Sequence, residues 1–321
     1  MFAIRGIAVS FSIFFILYSA LSLLVAALWQ KASVGSQNWS ARTCSDYLFV
    51  LRIAPCVLAT GVTLILAVPS FLLLEPRSIE EPLGVPPIVL GFCGLAILVI
   101  GSWKAIAAWS RTSKAVAKWS SDARVIGCRQ LSSKRPVSVL LTSVAAPPLA
   151  VAGILSPKVW LSRAAEFVLT ERELQSALRH EIVHVRRRDN LRKLLLRMVA
   201  FPGMGLLENA WREATEMAAD AAAVSNCSEA LDLAAAVIKL SRLVPFRAPA
   251  ELATALVHSP AESVNERVHR LISWTEPRAT SLSRNRLWYT LCASAAVLLT
   301  LVFTYSELLV RVHAVTEWLV G

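Results

Sequence analysis

Residues Thr170 to Asp189 read T-E-R-E-L-Q-S-A-L-R-H-E-I-V-H-V-R-R-R-D, and the reading of this stretch decides the rest. Thr170 and Glu173 form a T-x-x-E capping box, so the residues that follow are expected to be helical. On that helix His180 and His184 stand four apart on one face, where both imidazoles can reach a single cation. Glu181 lies on the adjoining side, where its carboxylate can hold a water beside the ion. Two nitrogen ligands, a third protein ligand and an open fourth position suit zinc, one Zn2+ per chain. Zinc draws the pKa of its water toward about 7, and Glu181 is the candidate base that takes its proton during attack on a peptide carbonyl. With five histidines in the chain, an accidental H-E-x-x-H belongs to fewer than about 1% of such sequences.

The third ligand is sought on a second expected helix, from about Leu207 to Ala223. It carries Glu216-Met-Ala-Ala-Asp220, whose two acids share a face. Glu216 is the candidate ligand, with Glu213 as its competitor. Asp220 is placed to orient a ligand histidine through the free ring N–H. Taken alone, these acids would read as an exposed helix face; the histidines' need for a third ligand favours the metal. The six cysteines contain no C-x-x-C pair and several fall in apolar runs, so neither a disulfide framework nor a cysteine zinc site is expected.

Around this polar centre the chain is unusually apolar. Of its 321 residues 55% are hydrophobic, and the mean hydropathy is +0.56. Ordinary soluble domains run at roughly 45–50% even with glycine counted. Four stretches are long enough to cross a membrane: about 7–29, 47–74, 87–109 and 287–309. The first exceeds the apolar core of a signal peptide, and no A-x-A cleavage site follows it. The net charge is +11, and about ten of the excess positive charges lie between Arg111 and Arg286. The loop after the first stretch carries Lys31 and Arg42, whereas the loop after the second is acidic on balance. The positive-inside rule therefore places the first loop and the central block in the cytoplasm, with the protein threaded several times through the membrane.

The expected architecture is a mainly α membrane protein with four transmembrane helices. Residues 1–109 hold three of them, 287–309 the fourth, and 310–321 a short extracytoplasmic tail. Residues 110–286 form a cytoplasmic α+β domain inserted between helices three and four. Its first part shows short strands, Val137–Thr142 and Val151–Leu155, punctuated by Pro147, Pro148 and Pro157; from Thr170 onward the pattern is helical.

Several segments together resemble a known family. His180-Glu-Ile-Val-His-Val-Arg-Arg-Arg-Asp-Asn190 is similar to the H-E-x-x-H-x-x-R-R-D pattern of the BlaR/MecR-type antirepressor membrane metallopeptidases, gluzincin-like enzymes. Ala152-Gly-Ile-Leu-Ser-Pro157 resembles the strand ahead of the zinc helix, and Phe201-Pro202 the break between the two metal helices. Glu216 and Asp220 match the E-x-x-x-D third-ligand motif, and Glu266–Leu271 the basic closing segment. The resemblance implies a zinc endopeptidase of the bacterial inner membrane that works on a protein substrate, such as a transcriptional repressor, in transmembrane signalling. Beta-lactam sensors of the family carry a penicillin-binding domain after the last span. The sequence ends about a dozen residues past its fourth expected span, so direct sensing of those drugs is not expected. Membrane quality-control metallopeptidases share the zinc pattern, and a non-catalytic transducer is the third reading; the intact His180, Glu181, His184 and Glu216 argue against the last.

Two further residues are candidates for supporting the transition state: His258, in a His-Ser-Pro segment, and Arg267. Arg186, Arg187, Arg188, Arg192, Lys193 and Arg197 make a basic cluster. Beside a span it is expected to meet lipid headgroups of the bilayer or an acidic substrate segment, and no direct nucleic-acid binding is expected. Leu194–Leu207 is apolar but too short to span; it dips into the interface or packs as core.

Overall fold

Long apolar stretches must satisfy their backbone internally, and here they form long helices. The structure is a computed structural model that describes residues 2–32, 40–75, 84–129, 137–142, 146–199, 201–243, 252, 254–255, 261–275 and 304–315. Helix α1 spans Phe2–Ala32. Helix α2 (Ala41–Val62) runs through a π-helical turn (Thr63–Ala67) into α3 (Val68–Leu74), and α4 spans Val85–Ser120. Phe2–Trp29, Ala41–Leu74 and Val85–Ser120 are each long and apolar enough to cross a membrane, with mean hydropathies of 2.3, 2.3 and 2.2 over an 18-residue stretch of each. The helices outrun the expected spans because a helix, unlike its apolar core, can continue past the hydrocarbon. The fourth expected span lies outside the described residues as far as position 303; residues 304–315 are helical. His258 also lies outside them.

The chain divides into two compact units. The first comprises Met1–Leu28, Ile53–Val99 and Pro277–Gly321. In it α1 and α4 approach closely at Gly91 and Gly94, where an added Cβ would collide with the carbonyl oxygens of Ala8 and Phe11. Ser12 Oγ donates to the Pro87 carbonyl at 2.8 Å. Tyr305 of the helix over residues 304–315 donates to the Ile65 carbonyl in the π-helical turn at 2.9 Å. Arg5 Nη1 lies 3.2 Å from Glu75 Oε1, so the charge just past α3 is paired.

The second unit comprises Trp29–Arg52 and Ile100–Glu276. Its sheet has the order β1-β2-β4-β3-β5, with β1 (Arg124–Arg129), β2 (Val137–Thr142), β3 (Leu149–Ala152), β4 (Lys158–Ser162) and β5 (Thr254–Ala255). β2 and β4 are parallel and the other pairs antiparallel. Strand alternation sorts the core: Val139, Val159 and Leu161 face one side, Leu140 and Trp160 the other. The first face packs on α5 (Arg163–Val168), α6 (Glu171–Arg187), α9 (Cys227–Arg242) and α10 (Ala261–Ile272). The second meets the end of α4, where Trp119 and Trp160 pack edge to face with ring centroids 5.8 Å apart. The strand expected over Val151–Leu155 is displaced: β3 ends at Ala152. Gly153 then adopts φ +106, a left-handed conformation suited to glycine, and turns the chain.

Candidate metal centre

The capping box of α6 forms as its residues dictate. The Thr170 N–H donates to Glu173 Oε2 at 2.8 Å, and the Glu173 N–H to Thr170 Oγ1 at 3.4 Å. Lys239 of α9 holds the same Glu173 oxygen at 2.8 Å, fastening the start of the helix. Three turns on, His180, Glu181 and His184 are all buried, at 0%, 0% and 2% exposure. Helix α8 (Gly205–Ala223) crosses with Glu216 and Asp220 on its buried face, while Glu213 is exposed.

His180 Nε2 and His184 Nε2 are 3.1 Å apart; Glu216 Oε2 is 3.5 Å from the first and Glu216 Oε1 3.6 Å from the second. Among the described residues these three form the group able to hold a metal ion. Ligand atoms placed tetrahedrally about 2.0–2.2 Å from a zinc ion are separated by about 3.3–3.6 Å, so the triangle has the size of a zinc site. The outer ring nitrogens strengthen the fit. His184 Nδ1 lies 2.7 Å from Asp189 Oδ2, and His180 Nδ1 lies 2.9 Å from Asp220 Oδ1 in a bent approach. A carboxylate accepts and does not donate, so each Nδ1 carries the proton and each Nε2 presents a lone pair. With both imidazoles neutral, two lone pairs and a carboxylate converge in a buried space that a proton or a metal ion can share.

Asp189 reaches His184 through an unusual turn. α6 ends at Arg188, which has φ 54 and ψ 41, and α7 (Asp189–Met198) begins at once. The left-handed residue folds Asp189 back over the last turn of α6. Asn190 Nδ2 then donates to the Val151 and Gly153 carbonyls at 3.3 and 3.0 Å, tying α7 to the end of β3. Asp189 was visible in the sequence as part of a motif, with no role attached. The signal that could have found it is the requirement that a ligand histidine's second nitrogen have an acceptor.

Arg267 of α10 is 2% exposed. Its Nε and Nη2 donate to Asp220 Oδ2 and Oδ1 at 2.8 and 2.7 Å, and its Nη1 lies 3.2 Å from Glu216 Oε2. The guanidinium thus grips the carboxylates of the candidate ligand and of its neighbour.

These charges set one another's protonation. Burial works against the charged form of Glu216, but the charge of His184, the His180 hydrogen bond and Arg267 prevail and hold it down at about 2. Burial opposes ionisation of Asp220 too, and Arg267 and His180 keep it well below the carboxylate range. Burial alone would lower His180; its contacts with Asp220 and Glu216 raise it to about 9 in the metal-free protein. Glu181 is pushed up to about 8 by burial. Neither of its carboxylate oxygens has a hydrogen-bond partner among the described residues, which leaves them available to a small polar molecule. Burial pulls Lys193 of α7 down to about 8, against the attraction of Glu216 and Asp189.

The sequence-expected residues His180, Glu181, His184, Glu216, Asp220 and Arg267 are therefore brought together. The family model described as BlaR1 peptidase M56 matches residues 79–271, which takes in all of them. No curated protein matches the chain.

Proposed function

Because the chain belongs to the BlaR1 peptidase M56 family, we propose that it is an integral-membrane zinc endopeptidase with His180, His184 and Glu216 as ligands. The observation that carries this reading is the triangle of buried ligand atoms at 3.1, 3.5 and 3.6 Å. A zinc ion bound there would supply Lewis acidity to the carbonyl under attack and to the attacking water. Glu181 accepts the proton of that water at a carboxylate oxygen and passes it to the departing amine. Asp189 and Asp220 hold the two imidazoles in the Nδ1–H tautomer, with Nε2 turned inward. Arg267 fixes Asp220 and Glu216, holding in place both the carboxylate that orients His180 and the candidate ligand.

We further assign the enzyme to regulated cleavage of a cytoplasmic protein, with a transcriptional repressor as the expected substrate class. The family supports this, as does the resemblance carried by residues 180–190, 216–220 and 266–271. The excess of positive charge between Arg111 and Arg286 supports a catalytic domain on the cytoplasmic side of the inner membrane, between a third and a fourth span.

The test is Glu181→Gln in the full chain. It should retain about one zinc per chain while hydrolysis falls by about 10²–10⁴-fold. Cleavage at the wild-type rate by this variant would falsify the role given to Glu181. Comparative proteomics of cells carrying the wild type or Glu181→Gln should then reveal the substrate as a protein cut in one strain and intact in the other.

A further inference from the structure

Two arginines of the second unit are buried nearly completely, and they differ in one respect. Arg267 meets two carboxylates, as described above. Arg52, near the middle of α2, is 3% exposed, and its Nε and Nη1 have no hydrogen-bond partner; no ion pair to it is found among the described residues. A guanidinium stays protonated in a protein, so Arg52 cannot relieve the cost of burial by losing its charge, as a lysine or histidine would. A buried fixed charge needs a counter-charge. The described residues supply none at Arg52, and an anion from the surroundings would answer the charge.

Position along the helix identifies the anion. Residues 53–74, which follow Arg52 through α2, the π-helical turn and α3, contain no Asp, Glu, Lys or Arg. At 1.5 Å per residue they reach about 33 Å, against a hydrocarbon core about 30 Å thick. Arg52 is thus the first residue outside the core at one end, as Glu75 is at the other. Glu75 has Arg5 as its partner. Arg52 stands at the depth where lipid phosphates lie, and its planar fork matches a phosphate through two parallel hydrogen bonds.

We propose that Arg52 forms the protein's half of a binding site for the phosphate of an anionic phospholipid. A zwitterionic headgroup carries its own cation and leaves the guanidinium less well balanced. The site does not depend on the peptidase reading, because no metal or substrate enters the argument.

The experiment uses the full chain purified in a lipid-free maltoside detergent, with thermal unfolding followed as phosphatidylglycerol, phosphatidylcholine or inorganic phosphate is added. Phosphatidylglycerol should raise the melting temperature of the wild type by about 3 °C or more, and the other two should not. Arg52→Met should melt at or above the wild type in lipid-free detergent, because it removes an uncompensated charge, and should ignore phosphatidylglycerol. Arg52→Lys, a point charge without the fork, should respond part of the way. An equal response of the wild type to inorganic phosphate would show a free-phosphate site and overturn the lipid assignment. So would a full phosphatidylglycerol response in Arg52→Met. A melting point of Arg52→Met below the wild type in lipid-free detergent would reveal a protein counter-ion and also defeat the proposal. Should Arg52→Met fail to fold, native mass spectrometry of the wild type decides. Retention of phosphatidylglycerol at least about tenfold over phosphatidylcholine supports the site, and equal retention overturns it.

Discussion

The metal centre and the middle of α2 both bury charge, on opposite terms. At the metal centre His180, His184, Glu216, Asp220, Asp189 and Arg267 interlock, each within a few ångströms of an opposite or complementary group. On α2 Arg52 is as deeply buried as Arg267 and has no such neighbour among the described residues. The contrast teaches that burial of charge alone does not mark a catalytic site. A closed network of charges is built to hold something of fixed geometry, whereas a single unanswered charge marks a place where the surroundings must contribute.

The largest expected effect tests the closed side of this contrast. Arg267→Met strands two buried carboxylates and should cost about 3–5 kcal/mol, read as a fall in melting temperature together with loss of zinc. If it costs no more than Arg52→Met in lipid-free detergent, the two regions do not differ as described. Asp189→Ala removes the acceptor of His184 and should weaken zinc binding about 10–100-fold with the fold intact, measured by competition with a chelating dye. Unchanged affinity would mean that the triangle holds its shape without Asp189.

A third test uses pH. His180 is raised from 6.5 to about 9 in the metal-free protein, so its proton stabilises the fold fully below about 6.5 and that contribution is lost as pH rises through about 9. Zinc must displace the same proton. Apparent zinc affinity should therefore climb about tenfold per unit between about pH 7 and 9 and level off above, while the metal-free protein loses stability over the same interval. A flat affinity profile would place the proton elsewhere. The smallest effect concerns the contact of α2 with α8. Ser45→Ala removes a buried hydroxyl pair, 2.7 Å from Thr215 Oγ1, and should cost about 1 kcal/mol.

Most of the metal centre could be read from the sequence because its spacings are local. His180 and His184 sit one turn apart, as do Glu216 and Asp220, and helical geometry alone puts each pair on one face. The capping box fixed where the first helix starts. What could not be read were the joins between distant segments. Arg267 lies 47 residues from Asp220, and no period in the chain says which carboxylate its guanidinium will find. Asp189 depends on a left-handed Arg188, a conformation that local propensity disfavours and the surrounding packing enforces. In the sheet, Val137–Thr142 is legible by its β-branched and apolar run. β3 and β4 pair across a turn at Gly153, so the expected strand overran its true end. The three long helices follow from apolar length, while charge balance at Arg52 is invisible until partners can be counted in space.

The hydroxyl pair between Ser45 and Thr215 lies next to Glu216 in the chain, and Arg187 joins the same knot by donating to Ser45 Oγ at 3.0 Å and Asp46 Oδ1 at 3.2 Å. The helix that begins at Ala41 is therefore moored one residue from a candidate metal ligand. Where the two are coupled, thermodynamic reciprocity requires that a firmer mooring strengthen ion binding by the same free energy by which the ion firms the mooring. Pulling on the helix would then be a way of loosening the ion, so the first turns of α2 would act as a lever on the chemistry as well as a support for it.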